Sequence, residues 1–218
     1  MRKVMQLLFL PILFSFFISC EKEPSGSNDS ATQAGTVTGK VTDSKGSPLA
    51  GVEIVIEHTV WAGTYVYATT DANGYYKAVL PIEPAGSWAA KAQLIRTAYG
   101  QDYTFDLAVD KAGTFKNNAA TVRNFTWKLN GQKPDASGYY GAHADVYQWG
   151  TDVPMTEVKL IFTPNDASDT LIDGSAVPVI ERKLEDVGGT FMIKDIPIGR
   201  YSVKAVYPGR ALLLKNRH

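Results

Sequence analysis

Residues 39–56 read GKVTDSKGSPLAGVEIVI, and this stretch decides the fold class. Near its end, Val52, Ile54 and Ile56 fall on one side of an extended chain, because successive side chains of a strand point to opposite faces. Ahead of them, Asp43-Ser44-Lys45-Gly46 is typical of a tight turn, in which glycine adopts a positive φ at little cost. The stretch therefore predicts a turn followed by a strand with one buried face.

Alternation with period two recurs along the rest of the chain. Apolar or aromatic residues occupy every second position in the runs 103–109, 125–129 and 201–205, and turn sequences rich in Gly, Asn, Asp and Pro separate such runs. No capped amphipathic stretch is long enough to predict a helix. The pattern predicts an all-β protein built of antiparallel β-sandwiches. Trp88 and Trp127 lie on apolar faces and are predicted to be buried.

The second half of the chain repeats the first at an offset of 106 residues. Residues 48–56 align with 154–162 without a gap, proline on proline and apolar position on apolar position. The loops then differ in length, and the match resumes where Trp88-Ala89-Ala90-Lys91-Ala92 resembles Tyr201-Ser202-Val203-Lys204-Ala205. Self-similarity of this kind indicates duplication. We therefore predict two tandem sandwiches, over residues 36–131 and 139–218.

The first half also resembles a known domain family. The residues that carry the resemblance are Gly39–Asp43, Gly46, Pro48-Leu49, Gly51-Val52, Ile54, Thr70-Asp71, Asn73–Tyr76 and Leu80-Pro81. Through them residues 36–95 resemble the carboxypeptidase regulatory-like domain, and residues 141–207 resemble it more weakly, since Asp145 replaces Gly39 and Glu157 replaces Gly51. The resemblance implies a transthyretin-like (prealbumin-like), Ig-like sandwich that carries no peptidase residues of its own.

The N-terminal residues predict export and lipidation. Residues 1–19 join two basic residues to an apolar run of about 12 residues, which is the layout of a signal peptide and is shorter than a membrane-spanning helix. Phe17-Ile18-Ser19-Cys20 resembles the lipobox of bacterial lipoproteins, which implies cleavage before Cys20 and acylation of its thiol. Residues 20–35 are polar and predict a flexible tether. An uncleaved anchor and a secreted protein with a free thiol are the alternatives.

The lipobox resemblance also implies a place in the cell. It predicts an exported protein whose membrane partner is the outer membrane, reached through the lipid on Cys20. Glu21-Lys22-Glu23 is similar to the signals that send some lipoproteins to the outer face of that membrane. Surface display and a periplasmic location therefore both remain open.

Composition and motifs argue against several kinds of function. Without the two basic residues of the signal peptide, 20 basic side chains face 22 acidic ones, so no basic stripe for nucleic acid is predicted. The sequence lacks a Gly-x-Ser-x-Gly elbow, a His-Glu-x-x-His helix and a phosphate-binding glycine loop. Zinc takes a tight set of Cys, His or acidic ligands, and for each of the three histidines, His58, His143 and His218, a structural or surface role is predicted instead. We predict no catalysis, cofactor or metal, and assign the acidic stretches 71–73 and 165–169 to turns instead of calcium sites.

Aromatic residues are the best sequence indication of binding. Trp61, Tyr65 and Tyr67 lie in or beside one predicted hairpin, and Trp149 lies near the start of the second half. Tyr65 and Tyr67 share a strand face, so they are either both buried or both exposed. If exposed, such rings anchor protein interfaces or stack on sugar rings. Two functions follow: a structural or protein-interaction module, or a glycan-binding accessory lipoprotein of a nutrient-uptake system that uses these four residues.

Overall fold

The computed structural model describes residues 33–81, 86–150 and 152–215, and their regular secondary structure is almost entirely β-strand. The strands are β1 (Thr36–Thr42), β2 (Glu53–His58), β3 (Tyr65–Thr69), β4 (Tyr75–Val79), β5 (Trp88–Ala98), β6 (Gln101–Asp106), β7 (Ala108–Val109), β8 (Thr121–Val122), β9 (Phe125–Thr126), β10 (Ala142–Val146), β11 (Lys159–Pro164), β12 (Ile180–Lys183), β13 (Glu185–Val187), β14 (Thr190–Ile196), β15 (Tyr201–Tyr207) and β16 (Arg210–Leu212). A short 3-10 helix spans Met155–Glu157. Within these described ranges, no helix has the length and apolar character needed to cross a membrane.

The first half forms two sheets that pack across one core. One sheet has the strand order β4-β1-β9-β7, with β8 also paired to β1, and the other has the order β3-β2-β5-β6. Neighbouring strands are antiparallel, except that β1, which is antiparallel to β4, pairs in parallel with β8 and β9. Parallel pairing requires a crossover connection, and here the chain completes the second sheet with β6 before it returns to lie alongside β1. The predicted β-sandwich architecture is confirmed.

The alternating residues of the first half form its core. Val52, Ile54 and Ile56 are fully buried, and the opposite side of β2 is partly or fully exposed. Trp88 and Trp127 are buried as predicted, at 1% and 4% exposure. Burial of this apolar surface is the main stabilising contribution, because the only cysteine of the chain leaves no partner for an internal disulfide.

The second half repeats this arrangement. Its sheets have the orders β10-β14-β13 and β12-β11-β15-β16, and the latter matches β3-β2-β5-β6 strand for strand. β2 and β11 begin and end 106 residues apart, which is the offset found in the sequence. Ile54 pairs with Ala92 in the first half, and Leu160 pairs with Ala205 in the second. The sequence repeat is therefore also a repeat of strand order and register.

The two halves are joined by apolar packing that the sequence pattern did not indicate. Leu171 and Val177, in the connection between β11 and β12, belong to the core of the first half. The phenol of Tyr99, in the turn after β5, donates a hydrogen bond to the carbonyl of Thr170 at 2.9 Å. The guanidinium of Arg200 lies 5.1 Å from the centroid of the Tyr99 ring. The second half therefore packs against the end of the first half at which β5 finishes.

Candidate functional site

Tyr65 and Tyr67 form a pair of exposed rings on β3. Their side chains are 43% and 61% exposed, so of the two alternatives left open by the sequence the structure selects exposure. The ring centroids lie 6.1 Å apart and the planes are tilted by 40°. Val66 and Ala68, between and after them, point the other way and pack against the core, because successive side chains of a strand lie on opposite faces. The two rings therefore stand side by side on the outer surface of the sheet.

Strand register gives this pair charged and aliphatic neighbours. Tyr65 pairs with Glu57 and Tyr67 pairs with Val55, both on β2. Val55 in turn pairs with Lys91 of β5, whose ammonium group lies 3.5 Å from the Glu57 carboxylate. We call these five residues the tyrosine face. Glu57, Val55 and Lys91 were not predicted as site residues, although the antiparallel pairing of β2 with its neighbours would have placed them there.

A polar cluster extends the same sheet surface toward β6. Gln93 and Lys133 both donate hydrogen bonds to the carboxylate of Asp106, at 3.2 and 3.1 Å. Burial acts to raise the pKa of Asp106, but these two hydrogen bonds outweigh it and hold the pKa below its usual range. The Lys133 ammonium group also lies 5.9 Å from the centroid of the Tyr140 ring. The outer surface of this sheet thus combines aromatic, carboxylate, amide and ammonium groups.

Trp61 lies at the tip of the β2–β3 hairpin and is held there by His58. The backbone N–H groups of Val60 and Trp61 donate to Nδ1 of His58 at 3.2 and 2.9 Å, which places the imidazole hydrogen on Nε2. The His58 ring is buried against Trp88, with centroids 4.8 Å apart. A Cβ atom on Gly86 would lie 2.4 Å from the imidazole, so only glycine fits there. His58 is thus a structural residue that fixes the position of Trp61.

Trp149 stands apart from the other three predicted binding residues. It follows β10 and is 91% exposed. Among the described residues, no ring contact joins Trp149 to Trp61, Tyr65 or Tyr67. The structure brings Tyr65 and Tyr67 together, places Trp61 on the same hairpin, and does not unite Trp149 with them.

The histidines do not converge in the described part of the chain. His143 is exposed on β10, with Nε2 3.8 Å from a carboxylate oxygen of Asp145. His218 and Cys20 lie outside the described residues. Across residues 33–81, 86–150 and 152–215, no three His, Cys, Asp or Glu side chains are grouped so that they could hold a metal ion.

The acidic stretches act as turn residues. One carboxylate oxygen of Asp71 accepts the N–H groups of Asn73 and Tyr75, both at 2.9 Å. One carboxylate oxygen of Asp166 accepts the N–H and the hydroxyl group of Ser168, at 2.9 and 2.7 Å. These hydrogen bonds hold the pKa of Asp166 below its usual range. Both side chains therefore stabilise local turns, as their residue types favour.

Comparison with known families agrees with this geometry. Residues 36–112, which contain β1 to β7, match the model of the family described as the carboxypeptidase regulatory-like domain. Residues 36–112 of the first sandwich form a carboxypeptidase regulatory-like domain. A search of curated proteins finds no match to the chain. β8 and β9 follow the matched residues and complete the sheet around β1.

The family match also covers the tyrosine face. Carboxypeptidase regulatory-like domains are non-catalytic β-sandwich modules. The tyrosine face lies wholly within the matched residues, on the sheet β3-β2-β5-β6. It presents two exposed aromatic rings and one ion pair.

Proposed function

We propose that this protein is a non-catalytic binding module that is anchored to the outer membrane through a lipid on Cys20 and engages a partner protein through the tyrosine face. The observation that carries the proposal is the joint exposure of Tyr65 and Tyr67 on a paired strand. Tyrosine is enriched at the energetic centres of protein interfaces, because its ring has a large apolar area and its hydroxyl group can form a hydrogen bond.

The neighbours of the two rings favour a protein partner. Glu57 and Lys91 form an exposed ion pair beside the rings, and such groups at the edge of an interface select partners more than they add affinity. The tyrosine face lies on the exposed outer side of a sheet, which suits a broad contact. The signal peptide and lipobox-like sequence of residues 1–20 support the anchor.

Site-directed photocrosslinking in cells tests the partner. The photoreactive amino acid p-benzoylphenylalanine replaces Tyr67 in the full-length protein, and the matched control replaces Tyr75, which is also an exposed tyrosine (55%) but lies on the other sheet. We expect a discrete crosslinked product from position 67 that is absent from position 75 and disappears when Tyr65→Ala is added. Identical products from both positions, or none from position 67, would contradict the proposal.

Palmitate labelling tests the anchor separately. The wild-type protein should incorporate labelled palmitate and sediment with the outer membrane, whereas Cys20→Ala should do neither. Labelling that persists in Cys20→Ala would rule out acylation at this residue, whatever the crosslinking shows.

A glycan is the second candidate ligand, and the spacing of the rings supports it. Two tilted rings 6.1 Å apart on one strand offer adjacent apolar platforms, and Glu57 beside them offers acceptors for hydroxyl groups. A glycan array probed with the protein should then show a signal that Tyr65→Ala and Tyr67→Ala abolish and that Tyr75→Ala leaves intact. No signal on the array would favour the protein partner.

A further inference from the structure

The end of the first sandwich at which the chain enters also carries the tip of the β2–β3 hairpin. At the entry point, the N–H of Leu80 donates to the carbonyl of Gly35 at 2.7 Å. The side chain of Asn117 donates to the carbonyl of Pro81, the next residue, at 2.7 Å. These bonds tie the start of β1 to the end of β4 and to the segment before β8.

The same segment continues to the hairpin. Phe115 and Trp88 exchange backbone hydrogen bonds at 2.9 and 2.8 Å, and the ammonium group of Lys116 donates to the carbonyl of Gly86 at 2.6 Å. Trp88 in turn pairs with His58, the last residue of β2. A continuous set of contacts therefore links the entry point of the chain to the hairpin, and both lie at one end of the sandwich.

The hairpin tip, which we define as Val60 and Trp61, is apolar and exposed. The two side chains are 62% and 52% exposed. No charged residue occurs between His58 and Asp71 in the sequence. Hydrogen bonds from both backbone N–H groups to His58 hold the tip in place. Tryptophan with an apolar neighbour is the combination that favours the interface between a bilayer and water.

The opposite end of the first sandwich is covered by the second half. β5 has 11 residues and begins at Trp88, beside the tip. A strand of that length extends about 33 Å, and it brings Tyr99 into contact with Thr170 and Arg200. The tip and the second half therefore lie at opposite ends of the first sandwich.

The position of Cys20 places the tip within reach of a bilayer. Only 12 residues lie between Cys20 and Gln33, where the described chain begins. A chain of that length spans at most about 45 Å. A lipid on Cys20 would thus keep the entry end of the sandwich within about 45 Å of the membrane surface, so that the tip can reach the bilayer.

We propose that the hairpin tip inserts Val60 and Trp61 into the bilayer interface, as a second membrane contact beside the lipid on Cys20. This inference rests on the proposed anchor and adds an orientation to it. With the tip in the interface, the first sandwich stands on the membrane by its entry end, and the second half points away from the bilayer. The partner is the bilayer itself, because the tip presents apolar area without charge at the end from which the anchor departs.

Quenching of tryptophan fluorescence by brominated lipids tests the contact. The acylated protein is reconstituted in vesicles of phosphatidylethanolamine and phosphatidylglycerol, with or without dibrominated phosphatidylcholine. Trp88 and Trp127 are buried, so Trp61 and Trp149 are the two exposed tryptophans of the described chain. We expect quenching in the wild type, loss of most of it in Trp61→Ser, and no change in Trp149→Ser.

Two results would overturn the inference: no quenching in the acylated wild type, or quenching that Trp61→Ser leaves unchanged. The first result is expected if the tip serves to contact a partner protein or a glycan and does not enter the bilayer. Mass spectrometry of Cys20 distinguishes a failure of the anchor from a failure of the tip. An unacylated Cys20 with quenching by added vesicles would refute the anchor and retain the tip contact, whereas an acylated Cys20 without quenching would refute the tip contact alone.

Discussion

The carboxylate of Asp195 accepts a hydrogen bond from the N–H of Gly131 at 2.8 Å, and this bond spans the connection between the two halves of the protein. The same carboxylate accepts the N–H of Gly141 at 3.2 Å. Between the two glycines the chain makes a small excursion, closed by a hydrogen bond from the N–H of Tyr140 to the carbonyl of Gly131. Asp195 itself has φ of 58°, an uncommon conformation for a residue other than glycine.

The first prediction concerns this carboxylate. Asp195→Ala removes the acceptor for two backbone N–H groups. It also leaves in the left-handed region an alanine, which has no polar side chain to bond the nearby backbone. We expect a loss of about 3 kcal/mol in the free energy of unfolding, since hydrogen bonds to a charged group contribute about 1.5–3 kcal/mol. Asp195→Asn should lose less, because asparagine keeps one acceptor and tolerates positive φ. Urea denaturation measures both, and equal losses in the two variants would contradict the assignment.

The second prediction concerns the packing between the halves. Leu171→Ala should lower the free energy of unfolding by about 2–4 kcal/mol, because the side chain is buried in the core of the first half although it belongs to the second. The matched control is Leu213→Ala, whose side chain is 83% exposed and whose loss should cost less than about 0.5 kcal/mol. Thermal unfolding of the wild type should also be a single transition. Similar stabilities of the two variants would show that Leu171 does not pack as described.

The third prediction uses the sequence repeat itself. A Cβ atom on Gly39 would lie 1.8 Å from the carbonyl oxygen of Arg123, which also accepts the hydroxyl group of Tyr76. We expect Gly39→Ala to destabilise the protein by about 3 kcal/mol or more, because overpacking at a fixed backbone forces the strands apart.

The equivalent position in the second half is the control for that experiment. Asp145 lies on β10, an edge strand with no neighbour corresponding to β8 or β9. Asp145→Ala should therefore change the free energy of unfolding by less than about 0.5 kcal/mol. The explanation tested is that the second half can carry a side chain at this position because β10 has no neighbour corresponding to β8 or β9. Comparable losses in the free energy of unfolding for Gly39→Ala and Asp145→Ala, measured by urea denaturation, would refute it.

The fourth prediction is a pH dependence. Burial, with a smaller contribution from Tyr99, raises the pKa of Tyr201 from 10.0 to about 12 in the folded protein. The folded state thus favours the neutral phenol, which donates to the carbonyl of Pro197 at 3.1 Å. The resulting stability is present below about pH 10 and is lost as the pH rises toward 12, because the unfolded chain ionises first.

Urea denaturation at several pH values between 9 and 11.5 measures this slope. Tyr201→Phe keeps the ring contact with Phe162 and removes the ionisable group, so its stability should fall less steeply with pH. The hydroxyl of Tyr76 also has a raised pKa, chiefly through burial, and should leave a residual slope in the variant. An unchanged slope in Tyr201→Phe would contradict the prediction.

Local patterns predicted the strands of the first core well. Val52, Ile54 and Ile56 alternate with less buried neighbours, and a strand has only two faces, so the sequence sufficed to identify the core side. The exposure of Tyr65 and Tyr67 could not be predicted in the same way. Aromatic residues are common on both faces of strands, and only the packing of Val66 and Ala68 against the core decides that the two rings lie on the outer side.

The sequence by itself determined the all-β class, the repeat at 106 residues and the family of the first sandwich, because period-two alternation and turn glycines are local properties of the chain. Only the tertiary structure decided that Leu171 completes the core of the first half and that the hairpin tip lies at the entry end of the chain. These relations join residues far apart in sequence, and they depend on how sheets pack and loops meet.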